Sequence, residues 1–262
     1  MAHRTSLVRS KRLNALRNRF PKQFAFLQAR FSPEGYLGLH LTAGALVLIC
    51  ATWFFASLAE DVMEGAPLTV TDIQFSAWLH AHAIPKLTSL MLVITHIHSP
   101  TGISLMTFIA ALYLIWRRHR YRLLGLLLSV FGGMLLNVLL KNLFHRARPK
   151  FDGQILTLSS YGFPSGHTMA STCFYGALAV FAVWKFKSWG LRLAAVAIAA
   201  LLILLVGFSR IYLGAHYLSD VLGAMGEGLA WLALCITGIN TIWRSRRREI
   251  EVGRERIKSA AD

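Results

Sequence analysis

Residues 37–59 read LGLHLTAGALVLICATWFFASLA, 23 residues without a Lys, Arg, Asp or Glu. As a helix rising 1.5 Å per residue this run is about 34 Å long, enough to cross the ~30 Å hydrocarbon core of a bilayer. Four further apolar stretches follow at 121–143, 168–184, 191–208 and 218–242. A sixth, 87–116, is interrupted by Ser99, Pro100 and Gly102, which fits a short interfacial helix leading into a span that starts near Gly102. With 55% hydrophobic and 15% charged residues over 262 positions, and a mean hydropathy of +0.50, the chain exceeds what a soluble domain carries. The predicted fold is all-α, a polytopic membrane protein of six transmembrane helices.

The formal net charge of +16 is not a nucleic-acid footprint, because the basic residues occupy alternate loops. Segments 1–36, 117–122, 185–192 and 244–258 hold 22 of the 28 Lys and Arg residues. In a six-span chain these segments share one side, so the positive-inside bias puts both termini in the cytoplasm. The remaining six are Lys86, Lys141, Arg146, Arg148, Lys150 and Arg210, and all but Lys86 sit near the external ends of the third and fifth spans. Cations kept there against the bias call for a functional reason. The first apolar run is full length and reads as an anchor rather than a cleavable signal, which predicts a multi-pass protein of the cell (cytoplasmic) membrane.

The expected organisation is a basic cytoplasmic segment at 1–36, a six-helix membrane domain at 37–243 and a basic cytoplasmic tail at 244–262. The first segment, with Phe20, Phe24, Phe26 and Phe31, fits either an amphipathic surface helix or a solvated topology signal. Residues 60–85 read as an acidic external loop carrying Glu60, Asp61, Glu64 and Asp72. Cys50, Cys173 and Cys235 lie in apolar spans and read as small buried hydrophobes.

Three polar clusters mark the external ends of spans three to six. The first runs from Lys141 through six residues to Arg148-Pro149, the second is Pro164-Ser165-Gly166-His167, and the third is Ser209-Arg210, five residues, His216, three residues, Asp220. With these spacings the chain resembles the phosphatidic acid phosphatase type 2 superfamily, whose signature is Lys-x6-Arg-Pro, Pro-Ser-Gly-His and Ser-Arg-x5-His-x3-Asp. All 11 fixed identities are present within 141–220. The resemblance implies a helical membrane bundle, a lipid phosphate or diphosphate substrate and a phosphohistidine intermediate.

The residues carry the same chemistry in their own terms. A phosphoryl group in flight spreads negative charge over its equatorial oxygens, so cationic stabilisation dominates catalysis. Lys141, Arg148 and Arg210 supply it, the arginines as planar forks and the lysine as a point charge. Ser165 and Gly166 precede a helix, where a hydroxyl and backbone N–H groups can cradle phosphate oxygens. His216 and Asp220, four apart, are expected on one face of the sixth span's first turn, where the carboxylate can orient the imidazole as nucleophile. His167 is then the general acid and base. Pro149, Pro164 and Ser209 support the motifs.

Singly, each residue has a plainer explanation, such as a snorkelling cation or a helix cap. Those explanations do not account for the joint spacing on one membrane face. His145 and Arg146 are secondary candidates for head-group contact, and Lys150 or Arg146 for neutralising a leaving phosphate. The pairs His80/His82 and His96/His98 are expected to be structural, because His-x-His on a helix does not align two rings on one face. Glu227 lies in the last span beside Gly223, Gly226 and Gly228, where packing and function are equally served. The motifs hold no carboxylate cluster of the kind Mg²⁺ requires, so no metal and no cofactor is expected.

The expected function is phosphate hydrolysis of a membrane lipid at the external, periplasmic face, with undecaprenyl diphosphate as first substrate because bacterial members of the resembled superfamily often recycle that carrier. Phosphatidylglycerol phosphate or phosphatidate are alternatives, as is phosphoryl transfer between two lipids. A transporter would need charged residues along its spans, and apart from Glu227 these are nearly absent. A soluble haloperoxidase of similar signature would have no use for six spans.

Overall fold

The computed structural model describes residues 20, 21, 38–151, 156 and 158–261. The segment 1–36, read above as amphipathic or solvated, lies outside the described residues except for 20 and 21. The described residues form helices and no strand: α1 (Leu39–Glu64), α2 (Pro67–Ala81), α3 (Pro85–Ile97), α4 (Pro100–Trp116), α5 (Arg120–Phe144), α6 (Gly166–Lys185), α7 (Trp189–Tyr212) and α8 (Leu218–Ala261). α1, α5, α6, α7 and α8 are each long and apolar enough to cross a membrane. α3 and α4 pass the same test together as a pair bent by 53°.

The bend follows from the Ser99-Pro100-x-Gly102 sequence. Pro100 opens α4 at its first turn, and the Ser99 hydroxyl caps it by accepting from the Gly102 N–H at 3.1 Å. A Cβ on Gly102 would lie 2.0 Å from the Ile97 carbonyl oxygen, so only glycine lets the two helices meet at this angle.

Residues 60–85 are not an acidic loop. α1 continues to Glu64, the chain turns at Gly65 with φ of +68°, and α2 starts on Pro67. Acidic residues at the end of a long apolar run gave a false break, because a helix that leaves the apolar region has no reason to stop. The basic stretch after residue 243 is likewise helical as far as Ala261, part of α8.

Midway along α5 the helix widens into a π turn at Leu128–Gly132. The Leu128 carbonyl there accepts from the Trp231 indole N–H of α8 at 3.0 Å, and Gly132 makes room for that ring, whose Cζ2 would lie 2.7 Å from an added Cβ.

The chain divides into two compact units, Leu46–Asn240 and Met1–Ala45 with Thr241–Asp262. In the larger unit one core joins α4, α5, α6 and α8 through Ile103, Leu126, Met169, Phe174 and Leu232. A second joins α2, α3, α7 and α8 through Leu79, Met91, Val206 and Val221. Trp53, Leu105, Phe108, Leu135, Leu193 and Leu201 point outward, which in a membrane is an apolar contact rather than a penalty. Cys50 shares that outward position and is exposed, contrary to the buried reading, while Cys173 is buried and Cys235 half-buried. In the smaller unit His40 Nε2 and Thr241 Oγ1 lie 3.4 Å apart, and exposed Arg247 pairs with Glu251 at 3.1 Å.

Candidate active site

The end of α5, the starts of α6 and α8, and the end of α7 bring the three motifs together. The connection is backbone as much as side chain. The Ser165 N–H donates to the Asp220 carbonyl at 3.0 Å, and the His216 N–H donates to the Arg210 carbonyl at 3.2 Å. The second motif is thus fixed to the third before any charged group is considered.

His216 is 1% exposed and Asp220 fully buried. His216 precedes α8 rather than lying in its first turn as expected from the sequence, because the helix starts at Leu218. The turn still brings its Nδ1 to 3.4 Å from Asp220 Oδ2, longer than a strong hydrogen bond. The same Oδ2 accepts from the Tyr217 N–H at 2.9 Å. On the other side of the ring, Nε2 lies 3.0 Å from Arg148 Nη1. A guanidinium has no acceptor, so Nε2 must carry the lone pair and Nδ1 the proton, directed at the carboxylate. That is the tautomer a nucleophilic Nε2 requires. Burial, then the positive charges of Arg148, Arg210 and Lys141, push the His216 pKa well below its ordinary value, so the ring is neutral at pH 7.

The three expected phosphate-binding cations are present, each already engaged. Arg148 donates from Nε to the Ser160 carbonyl at 2.6 Å, from Nη2 to Ser160 Oγ at 3.0 Å and from Nη1 to the Ala215 carbonyl at 2.6 Å. Lys141 Nζ donates to the Tyr161 carbonyl at 2.9 Å. Arg210 is 2% exposed and donates from Nη1 to Thr95 Oγ1 of α3, while its Nε has no partner among the described residues. Lys141, Arg148, Arg210 and His216 all lie within electrostatic reach of His167.

Ser165 is the residue before α6 and is fully buried. Its oxygen accepts from Thr168 Oγ1 at 3.1 Å, which leaves its own proton to donate. Gly166 lies against Asn137, whose Oδ1 would be 3.2 Å from an added Cβ. Pro164 and Pro149 are buried; Ser209 is buried too and donates to the Val206 carbonyl within its own helix at 2.7 Å, a local bond. Beside these groups lies a cavity of about 560 Å³ lined by residues that include Arg148, Lys150, Ser160 and Tyr161.

Arg146 is not free for a substrate, which corrects the head-group and leaving-phosphate roles given to it above. Its Nη1 donates to Asp220 Oδ1 and to Ser219 Oγ, each at 2.6 Å, and its Nη2 donates to Asp72 Oδ2 at 2.8 Å. Its guanidinium also lies 4.8 Å from the Tyr217 ring centre. Burial works against its charge, but the Asp220 and Asp72 carboxylates more than offset this and hold its pKa above the ordinary arginine value. His145 is exposed and stacks edge-on against Tyr161. Lys150 is exposed on the cavity.

Asp72, Thr95, Ser160 and Ser219 were missed by motif reading, since none belongs to a spaced signature. The one available signal was Asp72 in TVTDIQFSAWLHA, a charge within a segment of helical composition. Glu227 accepts from Asn137 Nδ2 at 2.9 Å, and the same amide lies 3.5 Å from the Pro164 carbonyl, so this buried pair leans on the second motif. His82, His96 and His98 each turn Nδ1 back to the carbonyl four residues earlier, and His98 Nε2 also meets the Tyr175 hydroxyl at 2.7 Å. His80 stacks on Phe151.

The family model described as the PAP2 superfamily matches residues 122–244. Phosphatidylglycerophosphatase B of Bacillus subtilis (strain 168) is 39% identical over 149 residues, covering 55% of this chain and 71% of that protein. Lipid phosphate phosphatase delta of Arabidopsis thaliana is 34% identical over 79 residues, 29% of this chain and 19% of that one. The crystal structure of a transmembrane PAP2-type phosphatidylglycerolphosphate phosphatase from Bacillus subtilis superposes with a TM-score of 0.66 at 30% identity, covering 72% of this chain and 93% of that chain.

Proposed function

This chain belongs to the PAP2 superfamily and is a multi-pass membrane lipid phosphatase, and from that premise we propose that it hydrolyses phosphatidylglycerol phosphate through a phosphohistidine on His216. The observation that carries the mechanism is the setting of the His216 ring, with Nε2 3.0 Å from an Arg148 nitrogen that can only donate and Nδ1 3.4 Å from the Asp220 carboxylate.

In the first step the Nε2 lone pair forms an N–P bond while the P–O bond to the lipid alcohol breaks with its electron pair. His167, protonated once the negative charge of the bound phosphate offsets the surrounding cations, gives that alkoxide a proton. The ring becomes cationic, and Asp220 stabilises its Nδ1–H. In the second step water attacks phosphorus and loses a proton to His167, and the N–P bond returns its electrons to Nε2. Lys141, Arg148 and Arg210 hold the equatorial oxygens, with the Ser165 hydroxyl and the N–H groups opening α6. The incoming phosphate takes over the Nη1 donor that Arg148 offers to Nε2, which uncovers the nucleophile as substrate binds.

Phosphatidylglycerol phosphate stands first because the curated relative and the crystal structure from Bacillus subtilis are both named for it and because Arg146 is held by two carboxylates. Of the two cations expected to neutralise the leaving phosphate of a diphosphate, Arg146 is engaged by Asp72 and Asp220. Undecaprenyl diphosphate is the second reading, favoured by Lys150 on the cavity next to Arg148. The 22 to 6 division of Lys and Arg supports an external site, facing the periplasm.

Phosphate release from purified enzyme in detergent, across phosphatidylglycerol phosphate, undecaprenyl diphosphate and phosphatidate, tests the assignment. A tenfold kcat/KM preference, about 1.4 kcal/mol, identifies the substrate. Activity is expected to survive EDTA, and an acid-labile phosphoenzyme to appear in the wild type but not in His216→Ala, which should not turn over. Near-normal turnover by His216→Ala would defeat the mechanism.

A further inference from the structure

Asp72 is 1% exposed, on a helix turned inside out relative to a soluble one. α2 directs Asp72, Ser76 and Leu79 inward, while Val70, Ile73 and Trp78 are exposed. A buried carboxylate persists only with partners, and those of Asp72 are all attached to the catalytic turn. Its Oδ2 receives Arg146 Nη2 at 2.8 Å and the Ser219 hydroxyl, and its Oδ1 receives the Ser219 backbone N–H at 3.0 Å. Arg146 directs its other terminal nitrogen to Asp220 Oδ1 at 2.6 Å. Ser219 is the residue before Asp220, and Oδ2 of that aspartate faces the His216 Nδ1–H.

We propose that Asp72 is a positioning residue for phosphoryl transfer, acting through Arg146 and the Ser219 N–H to fix the orientation and charge of Asp220. The inference rests on the reading of His216 as nucleophile. Two contacts define its effect. The Ser219 N–H bond anchors the first turn of α8, and so the carboxylate's position. Sharing Arg146 between two carboxylates keeps that cation from neutralising Asp220 alone. Without Asp72 the whole Arg146 charge falls on Asp220, and the carboxylate is a weaker partner for the cationic ring that forms as the N–P bond is made. The bonds of Asp72 go to Arg146 and Ser219 rather than to the reacting nitrogen, and its residence on α2 ties that helix to the chemistry.

The test compares full-length wild type, Asp72→Asn and Asp72→Ala in detergent by two measurements. The first is kcat/KM with phosphatidylglycerol phosphate. The second is the inhibition constant of inorganic phosphate, which reads the cationic pocket without a covalent step. Asp72→Asn, which keeps an acceptor for Ser219 but loses the charge, is expected to lower kcat/KM about tenfold and Asp72→Ala about a hundredfold, with the phosphate constant moving less than about twofold. In an Arg146→Gln background the Asp72→Asn loss should shrink to within about twofold, because both act on one carboxylate. Unchanged kcat/KM in Asp72→Ala overturns the proposal, and so does a parallel loss of phosphate affinity, which would mark Asp72 as support for the fold. Trapping the phosphoenzyme separates the two readings. A labelled wild type with unaffected Asp72 variants defeats this inference alone, whereas an active, unlabelled His216→Ala defeats the His216 mechanism and this inference with it.

Discussion

Between Arg148 and Asp220, His216 has each ring nitrogen assigned by its neighbour: a donor that cannot accept on one side, a carboxylate on the other. Burial and three cations make protonation of that ring unfavourable, and the sign of the effect is testable. A free imidazole is half protonated near pH 6.5. A depressed pKa keeps the proposed nucleophile unprotonated as pH falls through that value, so the acid limb of kcat/KM should have its midpoint at or below about pH 6, where the phosphate substrate itself takes up a proton. A limb centred at or above about 6.5 would mean that the ring is not held neutral by its surroundings.

At the scale of elements, the site is placed by helices that approach more closely than side chains ordinarily allow. Gly223 of α8 faces the Phe163 ring, where an added Cβ would meet Cε2 at 2.6 Å and Cζ at 2.8 Å. Phe163 is fully buried, packed on Phe55 and Phe144, and immediately precedes Pro164 of the second motif. Gly228, five residues further along α8, similarly admits Thr172 of α6, whose Cβ would lie 2.8 Å from an added methyl. Gly223→Ala is therefore expected to destabilise the protein by about 1–3 kcal/mol through overpacking, and to displace Phe163 and with it the Ser165–His167 turn. The checks are a lower melting temperature in detergent and a weaker phosphate inhibition constant. A variant with wild-type values of both would show that the ring has room to retreat.

For the whole molecule, the division of basic residues predicts which side the site faces. In a variant lacking Cys50, Cys173 and Cys235, a cysteine at exposed Ala83 between α2 and α3 should react with an impermeant thiol reagent in intact cells. Labelling only in inside-out vesicles would reverse the topology. Composition and spacing by themselves determined the helical membrane architecture, with five spanning helices and up to six if the bent pair is one span, and the three motifs, because a helix must satisfy its backbone internally in lipid and because the motif identities stand at fixed local intervals. They also placed the irregularity at Ser99 to Gly102, since Pro and Gly act on the backbone where they stand. What only the tertiary structure decided are the contacts between segments far apart in the chain. Arg146 is spoken for by Asp72 from 74 residues away, Arg210 meets Thr95 from 115 away, Lys141 rests on the Tyr161 carbonyl and Arg148 on that of Ser160. No periodicity encodes such partners. Whether a buried cation faces substrate or a protein carboxylate depends on which helices pack together, and packing is a property of the folded chain rather than of any one stretch of it.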